Sequence, residues 1–257
     1  MSAVATVATA LGVAEASVRE LRRGELTLEV ESSALPGLAD RVSGGLGGRL
    51  VTLFATDERS STGRFVVRHV WSLPKEGSFL HLVAPIDPSN PVFPSIAAKY
   101  PAANWFEREI MDFFGLRPEG HPNLSRVALH DDWPDGAWPL RKDFPDDRVV
   151  PRLTGDFHPF RPVTGEGVFQ VPVGPVHAGI IEPGHFRFGV AGEPILYLQL
   201  RLFYVHKGTE KRFERLPWRH GMALAESISG DTSIGHALAW AHALERLTGV
   251  EPPPRAR

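Results

Sequence analysis

The side chains able to do chemistry are unevenly supplied in these 257 residues: histidine occurs eleven times and cysteine not once. Without thiols the chain can form no disulfide, no cysteine nucleophile and no thiolate site for zinc or an iron–sulfur cluster. A redox role would therefore need a borrowed cofactor. The histidines are scattered, and no two stand three or four residues apart, the spacing that lets imidazoles on one helix share a metal. His130-Asp131-Asp132 is a cluster of metal-type donors and reads as an exposed loop edge. The sequence has no G-x-x-x-x-G-K-[ST] loop, no H-E-x-x-H, no G-x-S-x-G and no EF-hand loop.

Composition narrows the classes further. There are 28 basic and 30 acidic residues, a formal charge of −2, which gives no bulk electrostatic case for nucleic acid or anionic lipid. No window approaches ~18 uninterrupted apolar residues, so membrane association would come through partners. The apolar N-terminus lacks a positively charged start and reads as an amphipathic helix rather than a secretory signal.

The elements that must position any site follow from periodicity. Leu26, Leu28 and Val30 alternate with charged or hydroxyl residues as a half-buried strand does. A helix ending near Ser43 is expected next, then a flexible turn over Gly44–Gly48, then an antiparallel meander of strands at 50–55, 65–73 and 79–84. From Asn104 a helical pattern places Trp105, Phe106, Ile110, Phe113 and Phe114 on one stripe, with the charged residues mostly elsewhere. Asn104 reads as its cap, Glu107 as the capping-box partner and Gly115 as a left-handed stop. Residues 116–172 are rich in Pro, Gly and Asp and read as an extended binding arm or linker, with a domain boundary near Val163. Strands at 168–173, 186–190 and 195–203 and a helix-rich tail from about Lys207 to Leu247 complete the reading. No internal repeat is visible.

Two long stretches resemble known proteins. Trp105-Phe106-Glu107-Arg108-Glu109-Ile110-Met111-Asp112-Phe113-Phe114-Gly115-Leu116, then Gly120-His121-Pro122-Asn123-Leu124 and Pro139-Leu140-Arg141-Lys142-Asp143-Phe144-Pro145, resembles the signature of the 30-kDa subunit of respiratory complex I. Val173-Gly174-Pro175-Val176-His177, Glu182-Pro183-Gly184-His185-Phe186-Arg187-Phe188 and Tyr204–Lys211 resemble the start of the complex I 49-kDa subunit and of [NiFe] hydrogenase large subunits. The Glu182–Arg187 run is closer to the energy-converting hydrogenase branch, in which both modules are fused in this order. The resemblance implies an α+β fold: a 30-kDa-like domain with an antiparallel sheet and helices over 1–145, an extended connector over 146–167, and over 168–257 the first hairpin and helices of a 49-kDa-like domain.

The departures carry as much as the match. Where hydrogenases place a nickel-binding Cys-x-x-Cys this chain has Ser229 and Thr232, and hydroxyls are poor substitutes for soft thiolates. The resemblance therefore implies no metal and no hydrogenase activity in this chain. The position of a quinone-headgroup tyrosine in the 49-kDa subunit is Gly230, and a quinone-side histidine falls near Pro183. What carries over is Glu182 and His177 on a cavity-lining loop, where a carboxylate beside an imidazole could shuttle protons, Asp231 as a relay carboxylate, and His206 and Lys207 facing a partner's iron–sulfur cluster. Each has a plainer alternative: turn capping for Glu182 and His177, a helix-surface aspartate for Asp231, a solvated lysine for Lys207. The family continues past the Pro-rich Glu251–Arg257 end, so the chain reads as a fragment or a reduced version.

Two functions remain open at this point. One is a peripheral subunit, on the cytoplasmic side of the cell membrane, of a complex I-like or energy-converting-hydrogenase-related redox complex. Its partners would be a small iron–sulfur subunit and antiporter-like membrane subunits, with NADH and quinone as cofactors of the complex by resemblance. The other is a non-catalytic assembly subunit that binds the iron–sulfur partner.

Overall fold

Alternation of apolar and polar side chains builds the sheet of the first unit, residues 1–157. Its strands are β1 (Arg19–Arg22), β2 (Glu25–Glu29), β3 (Arg49–Glu58), β4 (Arg64–Leu73) and β5 (Ser78–Ile86). The computed structural model describes residues 2–256 except 146, 148, 156–159, 178 and 180. The strand order is β1-β2-β5-β4-β3, with β2 and β5 parallel and the other neighbours antiparallel. Register aligns Leu28 with Leu82 and Leu82 with His69, all on one buried face. Helices α1 (Ala3–Leu11), α2 (Leu35–Leu46) and α4 (Ala103–Phe114) add Leu11, Leu35, Val42, Ile110 and Phe113 to that core. A single helical turn, α3 (Arg59–Thr62), joins β3 to β4, and two short strands, β6 (Val92–Pro94) and β7 (Arg117–Glu119), pair in parallel beside α4.

β2, β4 and β5 lie close to the expected runs, β3 continues past 55 to Glu58, and β1, β6 and β7 were not expected; α2 runs beyond the expected end at Ser43, through Gly44 and Gly45 to Leu46. Buried Val42 and Leu46 anchor that last turn, which outweighs the low helix propensity of two glycines. The stop comes at Gly47, with φ 62°, and a Cβ on Gly48 would sit 2.5 Å from Val42 Cγ1. The glycine run is thus half helix and half tight cap. Residues 120–167 contain no helix or strand among those described, in keeping with the extended arm read from composition.

The second unit, residues 158–257, is built on an antiparallel sheet of β8 (Val168–Val173), β9 (His185–Ala191) and β10 (Ile195–Arg201) in the order β10-β9-β8. Helices α5 (Thr209–Arg215), α6 (Gly221–Glu226) and α7 (Ser233–Thr248) follow. Trp240 of α7 stacks on Phe213 at 4.8 Å and lies so close to Gly221 that a Cβ there would meet its ring at 2.1 Å. The protein is α+β throughout, as the sequence indicated.

Candidate functional site

In the first unit the distinctive run is α4 and the loops it gathers. Ala102 precedes the helix without a side-chain cap, and Asn104 lies inside it, so the capping box read from the sequence does not form. Glu107 turns inward instead and is fully buried. Its carboxylate accepts hydrogen bonds from the Ser95 hydroxyl and, at 2.8 Å, from the Ile96 N–H. Burial pushes its pKa up, against the pull of those donors. His121 Nδ1 accepts from the Asn123 N–H at 3.0 Å, which leaves the ring proton on Nε2, 3.1 Å from the Asn104 carbonyl and 3.9 Å from Glu107. Burial lowers the His121 pKa, and the ring ties the loop to the helix through the Asn104 carbonyl.

Asp112, also on α4 and fully buried, accepts from the backbone N–H groups of Val127, Ala128 and Leu129 at 2.9, 2.9 and 3.3 Å. Three converging donors and Arg126 at 3.6 Å make the burial of this carboxylate tolerable. The Pro139–Pro145 stretch is tied down the same way. Arg59 bridges Asp57 at 2.7 Å and Asp143 at 2.8 Å, and Lys142 N–H donates to Asp57 at 2.8 Å. Burial works to raise the Asp57 pKa, but Arg59 and the two backbone donors outweigh it and bring it to about 2. Arg141 lies over Trp138 at 3.7 Å and Phe65 at 5.0 Å, while its Nε donates to the Phe114 carbonyl at 2.6 Å. Gly115, at φ 67°, is the left-handed stop, and a Cβ on it would overlap Trp138 at 2.3 Å.

In the second unit His177 and Glu182 lie on the loop between β8 and β9, and His206 and Lys207 follow β10. Pairing of Val173 with Phe186 and of His185 with Arg201 means that loop 174–184 and the segment after Arg201 leave the same end. A Cβ on Gly184 would lie 3.3 Å from Leu202 Cδ2, so the two are in contact. His177 Nε2 lies 2.9 Å from the Gly184 carbonyl and its ring meets Phe186 edge-on, which closes the loop around exposed Glu182. His206 and Lys207 are exposed. Lys207 Nζ donates to the carbonyls of Ser227 at 2.6 Å and Ile228 at 3.0 Å, two of the groups left without helical partners after α6. That bond draws the strand-end segment to the stretch bearing Ser229, Gly230, Asp231 and Thr232. Asp231 is exposed in a single 3₁₀ turn, and the Thr232 hydroxyl lies 2.9 Å from His236 Nδ1. Loop 174–184 and the Lys207–Ser227 junction are thus two local arrangements, each closed by a side chain on backbone carbonyls. Among the described residues no three His, Asp or Glu side chains converge as a metal would require. Ser229 and Thr232 offer only hydroxyls, a donor set that does not fit nickel.

Known proteins are similar in sequence to most of this chain. Residues 28–149 match the family model described as the 30 Kd subunit of respiratory-chain NADH dehydrogenase. This stretch is a complex I 30-kDa-subunit domain. Formate hydrogenlyase subunit 5 of Escherichia coli K12 is 37% identical over 240 residues, which cover 91% of this chain and 42% of that protein. Hydrogenase-4 component G of the same strain is 38% identical over 237 residues, covering 90% of this chain and 42% of that one. The C/D subunit of NADH-quinone oxidoreductase from Methylococcus capsulatus is 33% identical over 239 residues, 81% of this chain and 39% of its own length. The chain therefore spans about two fifths of the length of the curated relatives it matches. By their names these relatives are subunits or components of hydrogenase-related and NADH-quinone oxidoreductase assemblies. No described helix is long and apolar enough to cross a membrane.

Within the 30-kDa domain, the motif that marks it is a set of internal ties. Glu107 and Asp112 fasten α4 to loops 95–97 and 127–129, and Asp57–Arg59–Asp143 fastens the start of the arm to β3. Reading the charged residues of α4 as lying mostly off its apolar stripe missed this. The available signal was their spacing: Glu107 and Asp112 recur among Ala103, Ile110, Phe113 and Phe114 on the buried side.

Proposed function

We propose that this chain is a peripheral-arm subunit of a membrane-bound redox complex related to NADH-quinone oxidoreductase and energy-converting hydrogenases. It supports electron transfer from a neighbouring iron–sulfur subunit toward quinone or proton handling. The observation that carries this reading is the joining, in one chain, of a 30-kDa-subunit domain to a second unit. The alignment with formate hydrogenlyase subunit 5, over 91% of the chain, extends into that unit. The chain contributes architecture and holds no thiolate-bound metal: it has no cysteine. Its place is on the cytoplasmic face of the membrane, held there by partner subunits, among them a small iron–sulfur subunit and antiporter-like membrane subunits. NADH and quinone serve the complex rather than this chain.

In this reading His177 and Glu182 handle protons on the closed loop, Asp231 relays them, and His206 and Lys207 face the partner's cluster. A cation there favours the cluster's reduced form by charge alone. The two carbonyl bonds of Lys207 support that placement by fixing the ammonium at the junction of two segments. The test is Lys207→Gln with Asp231→Asn in the assembled membrane complex. The reading expects a lowered rate of electron transfer from donor to quinone and a shifted cluster potential, with the iron–sulfur subunit still co-purifying. Unchanged electron transfer overturns the role of these residues, and loss of the iron–sulfur subunit from the purified complex favours a purely assembling function.

A further inference from the structure

The β8–β10 sheet has one apolar face and one polar face. The polar face carries Gln170 of β8, His185 and Arg187 of β9, and Tyr197 and Gln199 of β10, which the register sets around Gly189. A short piece of the arm lies across it. The Gln199 carboxamide accepts from the Arg161 N–H at 2.6 Å and donates to the Arg161 carbonyl at 3.0 Å, while Gln170, two strands away, donates to the same carbonyl at 3.0 Å. The Tyr197 hydroxyl reaches that oxygen at 3.5 Å, and its ring fills the space over Gly189 that a side chain would take. These contacts read the backbone of residue 161 and leave its side chain out. The side chain that anchors is Phe160, whose ring lies 5.0 Å from the His185 imidazole and 3.9 Å from the Arg187 guanidinium.

Beside this segment His185 Nε2 is buried and has no hydrogen-bond partner. An unpartnered buried nitrogen carries a desolvation cost that a fold retains for a reason. Burial and the neighbouring Arg187 both lower the His185 pKa; Arg201 is its cross-strand neighbour, so both flanking charges on the sheet are positive. His185 also opens β9 directly after the loop that carries His177 and Glu182. We propose that Phe160 and Arg161 form a strap that closes over His185 and keeps its Nε2 out of water until the strap lifts. The strap is held by side-chain bonds open to solvent, so it releases by a local opening and not by unfolding of the sheet. Lifting it delivers a water-accessible imidazole Nε2 to the end of the sheet that bears the His177–Glu182 loop.

Histidine-specific acylation by diethyl pyrocarbonate, read peptide by peptide by mass spectrometry on the full chain, tests this. Exposed His242 serves as the internal standard. The wild-type protein is expected to acylate His185 about tenfold more slowly than His242. Phe160→Ala and Gln199→Leu should each bring His185 close to the standard, with His242 unchanged. Arg161→Ala should leave His185 slow, because the strap is held through backbone groups. Gln170→Leu repeats the Gln199 test on another strand if the first variant does not fold. Equal rates for His185 and His242 in the wild type overturn the strap. So do a Gln199→Leu protein with His185 still slow and an Arg161→Ala protein with His185 fast.

Discussion

Leu82 and Leu198 are both strand leucines set opposite large side chains, yet Leu82 is fully buried while Leu198 is 45% exposed. Their helices differ in the same way. In α4, Ala103, Ile110, Phe113 and Phe114 are buried together with Glu107 and Asp112, whereas none of the 16 residues of α7 is buried. The first unit puts its apolar residues inside and then buries carboxylates there, each met by backbone or side-chain donors. The second keeps apolar side chains of its sheet and its last helix at the surface: Phe169, Leu196, Leu200, Ile234 and Leu238 are all exposed. Stability in the first unit is therefore concentrated in a closed core and a few buried polar ties. Stability in the second is spread over a hydrogen-bonded ladder and side-chain caps that water reaches.

The sharpest way to break this contrast is Asp112→Ala, which strips three buried N–H groups and Arg126 of their acceptor. A loss of about 4 kcal/mol in urea unfolding of the first unit is expected; a loss below about 1 kcal/mol would show that the nest does not depend on the carboxylate. Next is the leucine pair. Leu82→Ala should cost about 3 kcal/mol, and Leu198→Ala under about 1 kcal/mol in the same assay. Equal costs would erase the distinction between the two sheets.

Acid should separate the units as well. His69 is buried in the first unit with neither ring nitrogen bonded, and burial brings its pKa from 6.5 to about 4. Between those values the unfolded chain takes up a proton that the folded chain refuses. Stability therefore falls as the pH drops from 6.5 to about 4, by up to about 3 kcal/mol in total. His69→Leu should flatten that slope in urea midpoints measured across the range, and a variant with an unchanged slope would exonerate His69. Asp57 acts lower. Its folded pKa of about 2 lies below the ordinary 3.8, so the stability it adds is present above 3.8 and is lost between there and about 2. The smallest effect belongs to the second unit. Lys207→Met should weaken the end of α6 by about 1 kcal/mol, seen as faster amide exchange over residues 221–228 with the β8–β10 sheet unaffected.

Much of the fold could be read from residue order. Alternation located β2, because a strand with one buried face places an apolar residue at every second position, and short apolar runs bounded by turns located β4, β5 and β8. Gly115 announced the end of α4, because a tight left-handed turn against Trp138 admits no Cβ. The family motif was legible for the same reason: its charged and aromatic residues meet each other inside the fold, so their order is constrained. The glycine run misled, because propensity sees only Gly44 and Gly45, whereas the helix end is held by Val42 and Leu46 in a core that those neighbours cannot reveal.

The sequence alone determined the chemistry this chain can bring. With no thiol in its 257 residues and hydroxyls at 229 and 232, it excludes thiolate ligation of a metal by this chain. Tertiary structure decided which polar groups meet. Asp57 and Asp143 stand 86 positions apart and share one guanidinium; Gln170 and Gln199 converge on one peptide of a distant arm; Lys207 caps a helix that ends at Glu226. Local sequence governs residue type and period. The partners of a charge or a carboxamide are set by where the chain returns, and that follows from how the whole core closes.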